Sequence, residues 1–254
     1  MECSDSQRDA GVTRYFGASM IPSFRQQFND NFTPEKYQRF LRRIDEACGT
    51  RVKFRLSETP CFLPAQLLQQ MAKDGKVLIR QLVESPEYLA RSNSSIPGEY
   101  KVPNEPPHPM FVQVDFGLVR DENGELQPKL VELQAFPSLY AYQVTLAQNY
   151  IDVYGLRNMS ASGFRPPASE LKYFLSELNE ASYRELLRTA IVGNHDPENV
   201  ILMELDPEAQ KTLPDFLMTG KMLGVRTVDI QAIKKHGTQL YYERDGGQVP
   251  IRRI

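Results

Sequence analysis

The chain has no tryptophan, and its 254 residues include only three histidines and three cysteines. The cysteines, Cys3, Cys48 and Cys61, are far apart and form no Cys-x-x-Cys pair, which argues against the usual zinc and dithiol redox motifs. The sequence also has neither a GxxxxGK[ST] loop nor a GxGxxG fingerprint. These absences argue against P-loop and Rossmann nucleotide sites.

Strong charge of either sign is also missing. Thirty basic residues stand against thirty-two acidic ones, so the formal net charge is -2 and gives no positive field for nucleic acid or an anionic membrane. No run of eighteen apolar residues occurs, and the N-terminus lacks the basic and then apolar stretches of a signal peptide. We therefore expect a cytoplasmic protein with reduced thiols and a small-molecule or peptide partner, with no nucleic acid and no membrane involved. The oligomeric state stays open.

Hydrophobic periodicity predicts an α/β fold in three parts: a mostly helical region at residues 1–92, a β-hairpin and helix at 93–168, and a strand-helix-strand unit at 169–254. In the first part, Thr33 and Pro34 predict the start of a helix that ends at Gly49. A short strand is expected at residues 52–56, followed by a second helix from about residue 64, with Gly75 weakening its middle.

The last part begins with a helix predicted over residues 169–191. A strand at 200–203, a helix at 207–223 and a strand at 225–230 then have the spacing of a parallel crossover unit. A closing hairpin is predicted from residue 240 onwards. Because the chain ends inside its last predicted strand, we expect it to be the front portion of a longer protein.

The central hairpin is the clearest β signal. Its strands are predicted at residues 110–119 and 129–133, joined by a turn that contains Asn123 and Gly124, a pair that favours tight hairpins. Asp115 lies on the first strand and Glu132 on the second, each among apolar neighbours.

Side-chain alternation gives Gln113 the same face as Asp115, and Gln134 the same face as Glu132. Carboxylate and amide oxygens are the ligands that magnesium prefers, usually in sites shared with nucleotide phosphates. The same spacing also fits half-exposed strand carboxylates that bond to backbone or to Lys129. From the spacing alone, both interpretations remain open.

The block at residues 112–143, VQVDFGLVRDENGELQPKLVELQAFPSLYAYQ, resembles the metal-binding hairpin of the glutathionylspermidine synthetase-like branch of the ATP-grasp ligases. In that family a strand with R-x-D leads through a glycine turn to E-Y-N-A-D-T-P-T-S-L. The resemblance places the family's metal ligands at Asp115, Glu132 and Gln134, and Pro137 to Leu139 match its Pro-Thr-Ser-Leu. The order of elements extends the similarity to about residues 100–254.

The resemblance implies a ligase that binds ATP and Mg²⁺, phosphorylates a carboxylate and joins the acyl phosphate to an amine. Gln113, Asp115 and Ser138 would then lie at the nucleotide. A plain helix N-cap is the alternative interpretation of Ser138, and it is the commoner role of a serine at a helix start.

Two positions depart from the family pattern: Gln113 replaces a phosphate-facing arginine, and Gln134 replaces an asparagine. The family's nucleotide-clamping lysines also fall downstream of the region present here. A non-catalytic relative that binds a peptide-like ligand or a protein is therefore the alternative hypothesis.

Overall fold

The computed structural model describes residues 21–135, 139–158 and 171–254, and these residues form a mixed α/β structure. The described helices are α1 (Pro22–Asn31), α2 (Pro34–Cys48), α3 (Ala65–Val83), α4 (Pro86–Ser95), α5 (Tyr140–Tyr154), α6 (Glu180–Ile191) and α7 (Leu213–Leu223). The described strands are β1 (Gln113–Arg120), β2 (Leu126–Gln134), β3 (Ile201–Glu204), β4 (Arg226–Asp229), β5 (Lys234–His236), β6 (Gln239–Arg244) and β7 (Gly247–Ile251). Among these described helices, none combines the length and the apolar character needed to cross a membrane.

Helix α2 has the ends that its sequence predicts. The Thr33 side chain accepts a hydrogen bond from the backbone N–H of Lys36, and Pro34 occupies the first helical turn. Gly49 ends the helix with a φ of 75°, a left-handed conformation that glycine adopts without steric cost.

The largest hydrophobic core joins α1 and α2 to α5. The rings of Phe40 and Tyr150 lie 4.3 Å apart between centroids, and those of Phe28 and Tyr154 lie 4.6 Å apart. Helix α5, predicted with the hairpin, thus shares one core with the N-terminal helices. The division into three parts stays a prediction.

Residues 52–56 run along this core without entering a β-ladder, so the strand expected there is wrong. The segment is held by side chains instead. Tyr37 donates its hydroxyl to the carbonyl of Leu56, and the N–H of Val52 donates to Asp45. Two backbone groups of this segment are thus paired with side chains and not with a partner strand.

The C-terminal part contains the strand-helix-strand order predicted from the sequence. Strands β3 and β4 pair in parallel and α7 connects them, while β5, β6 and β7 form an antiparallel sheet. A parallel bridge between Val200 and Arg253 joins the two sheets.

Helix α6 begins at Glu180, later than the predicted start at residue 169. The side chains of Asn179 and Ser182 form a reciprocal capping box that fixes this start. Just before it, Ser176 and Glu177 have φ values of 56° and 58°, which are incompatible with a continuing right-handed helix. Residues 169 and 170 lie outside the described residues.

Candidate metal centre

The turn between β1 and β2 sets the register of the hairpin. Oδ1 of Asp121 accepts hydrogen bonds from the backbone N–H groups of Asn123 and Glu125, both at 2.9 Å. Gly124 has a φ of 81° in the same turn. In the resulting antiparallel register, Asp115 lies directly opposite Glu132 and Gln113 directly opposite Gln134.

A β-bulge follows this pair of carboxylates. Asp115 pairs with Glu132 but Phe116 pairs with Leu130, so Val131 is the extra residue of β2. A bulge twists a strand locally and changes the direction of nearby side chains, and bulges are frequent beside functional sites. The register on one side of the bulge keeps both carboxylates on one face of the hairpin.

The structure brings together the four hairpin residues singled out from the sequence. Nε2 of Gln134 donates to Oδ2 of Asp115 at 2.9 Å and to Oε1 of Glu132 at 2.6 Å. Nε2 of Gln113 donates to Oδ1 of Asp115 at 2.8 Å. The two carboxylates are therefore bridged by an amide group, and the side chains are half-buried to exposed.

The alternative partner for these carboxylates, a basic side chain, is not used. Within residues 21–135, 139–158 and 171–254, neither Asp115 nor Glu132 forms an ion pair with a lysine, arginine or histidine. Two like charges directly opposite each other on a hairpin destabilise it. The Gln134 amide relieves part of this repulsion, and a cation would relieve more.

The donor set fits a weakly held hard cation. Two carboxylates and two glutamine side chains offer only oxygen ligands, as Mg²⁺ prefers, and Asn and Gln oxygen and nitrogen positions exchange by a simple flip. No cluster of three or more His, Cys, Asp or Glu side chains suited to a metal occurs in the described part of the chain. A cation here would therefore complete its octahedron with water or with ligand oxygens such as phosphate.

Ser138, the other residue expected at the nucleotide, lies outside the described residues. The amides that follow it are already used. The N–H groups of Leu139, Ala141 and Tyr142 donate to the carboxylate of Asp215 at 2.9, 3.0 and 2.9 Å. An anionic ligand at this helix end would therefore have to displace a protein carboxylate.

Sequence reasoning missed Asp215. This side chain is 7% exposed, at the start of α7. Burial raises its pKa, and the three amide hydrogen bonds oppose that rise. The only local signal is an acid inside the apolar run LPDFLM, because its partners are more than 70 residues away in sequence.

A scan against protein-family models finds no matching family. Searches of curated proteins and of solved structures likewise find no match.

A second feature is a depression between α6 and α7, which is lined by three basic and two acidic side chains. Its basic groups are already engaged. Arg184 donates to the carbonyl of Met222 at 2.8 Å, and Arg188 pairs with Glu185 at 3.0 Å. Lys221 reaches the carbonyl of Ala47 at 2.6 Å. The depression therefore has weaker grounds for ligand binding than the hairpin.

Proposed function

We propose that the open end of the β1–β2 hairpin binds Mg²⁺ for an ATP-dependent ligase of the ATP-grasp type, which joins a carboxylate to an amine through an acyl phosphate. The observation that carries this proposal is the direct opposition of Asp115 and Glu132, bridged by Gln134 and free of any basic partner among the described residues. The resemblance of residues 112–143 to the family hairpin supports the same assignment.

Asp115 and Glu132 are the cation ligands in this proposal, and Gln134 contributes an amide oxygen after a flip of its side chain. Gln113 holds Asp115 in place through its hydrogen bond to Oδ1. When bound, Mg²⁺ would neutralise phosphate charge during phosphoryl transfer. The site has only two carboxylates, so its affinity for the ion alone should be low and should rise when nucleotide oxygens complete the coordination.

Gln113 limits how strongly the hairpin can bind phosphate. A glutamine offers no positive charge, whereas an arginine would form charge-assisted, bidentate hydrogen bonds to phosphate oxygens. The cations that hold the nucleotide must therefore come from elsewhere. In this proposal the hairpin supplies the metal ligands of the nucleotide site and another part of the protein supplies the cations.

The test is calorimetric titration of Mg-ATP into the protein and into an Asp115→Asn/Glu132→Gln variant. These changes preserve side-chain shape and remove both charges. Glu122→Gln is the matched control, because Glu122 is an exposed acid in the turn of the same hairpin. Circular dichroism checks that each variant is folded.

We expect Mg-ATP binding to the unmodified protein and to the Glu122→Gln control, and none to the double variant. A substrate screen with carboxylates and amines would then follow. Equal binding by the double variant would remove the hairpin from the nucleotide site. A folded unmodified protein that ignores Mg-ATP would end the ligase proposal.

One observation favours the alternative, a binding module for an extended peptide or protein. The hairpin forms a two-stranded sheet among the described residues, and the side chains of Val119, Leu130 and Val131 are 44%, 46% and 67% exposed. Unpaired strand edges beside exposed apolar side chains are what strand addition by a partner uses. A protein that ignores Mg-ATP but captures extended peptides from a library would support this function.

A further inference from the structure

We propose that Asp215 of α7 is a positioning residue for the candidate metal site, although it contacts none of the metal ligands. It fixes the first turn of α5, and both chain connections at the open end of the hairpin converge on that turn. The importance of this position for metal binding rests on the function proposed above. The positioning itself can be tested without a metal.

The first connection leaves the hairpin. Strand β2 ends at Gln134 and α5 begins at Tyr140, so five residues, 135–139, join the candidate site to the helix. The last of them, Leu139, has a φ of 72°, a left-handed conformation that leucine rarely adopts without compensating contacts. Its N–H donates to Oδ2 of Asp215, and this bond supplies such a contact.

The second connection enters the hairpin. Phe111, two residues before β1, packs its ring against the ring of Tyr140, with 4.9 Å between the centroids. Tyr140 is the first residue of α5. The chain segments that enter and leave the hairpin at Gln113 and Gln134 are thus both anchored at the helix end that Asp215 holds.

The two carboxylate oxygens of Asp215 have different partners, which allows a selective test. Among the residues that the structure describes, Oδ1 accepts hydrogen bonds from the N–H groups of Ala141 and Tyr142, and Oδ2 accepts one from that of Leu139. In Asp215→Asn the remaining oxygen can keep the two helix amides. The new NH₂ group then faces the N–H of Leu139, a donor opposite a donor, so this bond is lost while the helix cap is partly kept.

Lys221→Met provides the matched control on the same helix. Lys221 donates to the carbonyl of Ala47 near the end of α2, at 2.6 Å, so Lys221→Met removes a charged side-chain contact of α7 that does not involve α5. Only Asp215→Asn affects the start of α5. A variant that acts through general loss of stability should behave like the Lys221 control.

The positioning is measured by amide hydrogen exchange in metal-free buffer. We expect Asp215→Asn to speed exchange at Leu139 and at the cross-strand amides of residues 113–115 and 132–134, and Lys221→Met to leave both sets unchanged. Adding Leu139→Gly to Asp215→Asn should restore part of the hairpin protection, because glycine adopts the left-handed conformation readily. Unchanged hairpin exchange in Asp215→Asn would overturn the inference, whether or not the protein binds metal.

The link to function is measured with Mn²⁺ as the probe, from paramagnetic broadening of the Gln113 and Glu132 amide signals. Loss of a residue that bonds directly to a metal ligand typically weakens metal binding about 10-fold to 100-fold. Asp215 acts one step further away, through α5, so we expect Asp215→Asn alone to weaken Mn²⁺ binding by up to about 10-fold. Equal Mn²⁺ affinity in Asp215→Asn and the unmodified protein would contradict the positioning role. No Mn²⁺ binding by the unmodified protein would instead count against the proposed function, and the exchange data would still decide the inference.

Discussion

Gly75 of α3 lies against Val114 of β1, so closely that a Cβ on Gly75 would stand 3.4 Å from Cγ2 of Val114. The same Cβ would stand 3.9 Å from Cε2 of Phe116. Val114 and Phe116 are on the face of the hairpin opposite Asp115. The candidate site therefore faces away from the helix that supports its strand.

This contact predicts opposite effects for two substitutions of Gly75. Gly75→Ala should raise the free energy of unfolding by up to about 1 kcal/mol, because alanine favours the helix and 3.4 Å is an ordinary contact distance for its methyl group. Gly75→Leu should lower it by about 1 to 3 kcal/mol through overpacking against β1. Urea unfolding measures both changes. A destabilised Gly75→Ala would mean that α3 and β1 leave no room for a methyl group.

Local sequence signals predicted those elements whose ends are marked by capping or turn residues. Thr33 and Gly49 bracket α2, and Asn123-Gly124 sets a turn whose register places Asp115 opposite Glu132. The convergence of the hairpin's carboxylate and amide side chains could be predicted from the sequence, because the alternation of side chains along a strand is a purely local rule.

Features that depend on distant partners could not be predicted in this way. The sequence predicts that Gly75 weakens its helix, but Gly75 provides the close approach to Val114, 39 residues away in sequence. Asp215 accepts hydrogen bonds from backbone amides more than 70 residues away in sequence. The residues around position 215 contain no pattern that predicts these partners. The prediction of a strand at residues 52–56 was wrong for the same reason. A β-strand needs a partner strand, and local propensity does not show whether one is present.

Cys48 should make stability fall in alkaline solution. Burial raises the pKa of its thiol to about 11, whereas an unfolded cysteine ionises near 8.5. Between these values the unfolded chain releases the proton first, so the free energy of unfolding falls as the pH rises. Cys48→Ala lacks this loss. The difference in unfolding free energy between the unmodified protein and the variant should therefore shrink from pH 8 to pH 11, as followed by urea titrations.

Two of the buried tyrosines of α5, Tyr150 and Tyr154, form a matched pair whose substitutions should change stability in opposite directions. The hydroxyl of Tyr154 is buried and has no hydrogen-bond partner among the described residues, whereas that of Tyr150 donates to the carbonyl of Ser57. Tyr154→Phe removes an unsatisfied polar atom and should stabilise the fold by about 1 kcal/mol. Tyr150→Phe removes a satisfied one and leaves the Ser57 carbonyl without its donor, so it should cost about as much. Thermal unfolding of both variants separates the two cases, and a destabilised Tyr154→Phe would reveal a partner for its hydroxyl.

The carboxylate pair itself should cost stability where no cation is present. Asp115 and Glu132 are directly opposite, and like charges in that relation destabilise a hairpin by about 0.2 to 1 kcal/mol. Glu132→Gln removes the repulsion, so this variant should be the more stable protein in buffer that contains a chelator.

Added Mg²⁺ should then stabilise the unmodified protein and leave the stability of Glu132→Gln unchanged, because a ligand that binds only the folded state raises its stability. Thermal melts with and without Mg²⁺ measure both effects. A Glu132→Gln variant that is less stable in chelator would mean that Glu132 serves the hairpin as a structural hydrogen-bond acceptor for Gln134, which would weaken its assignment as a metal ligand.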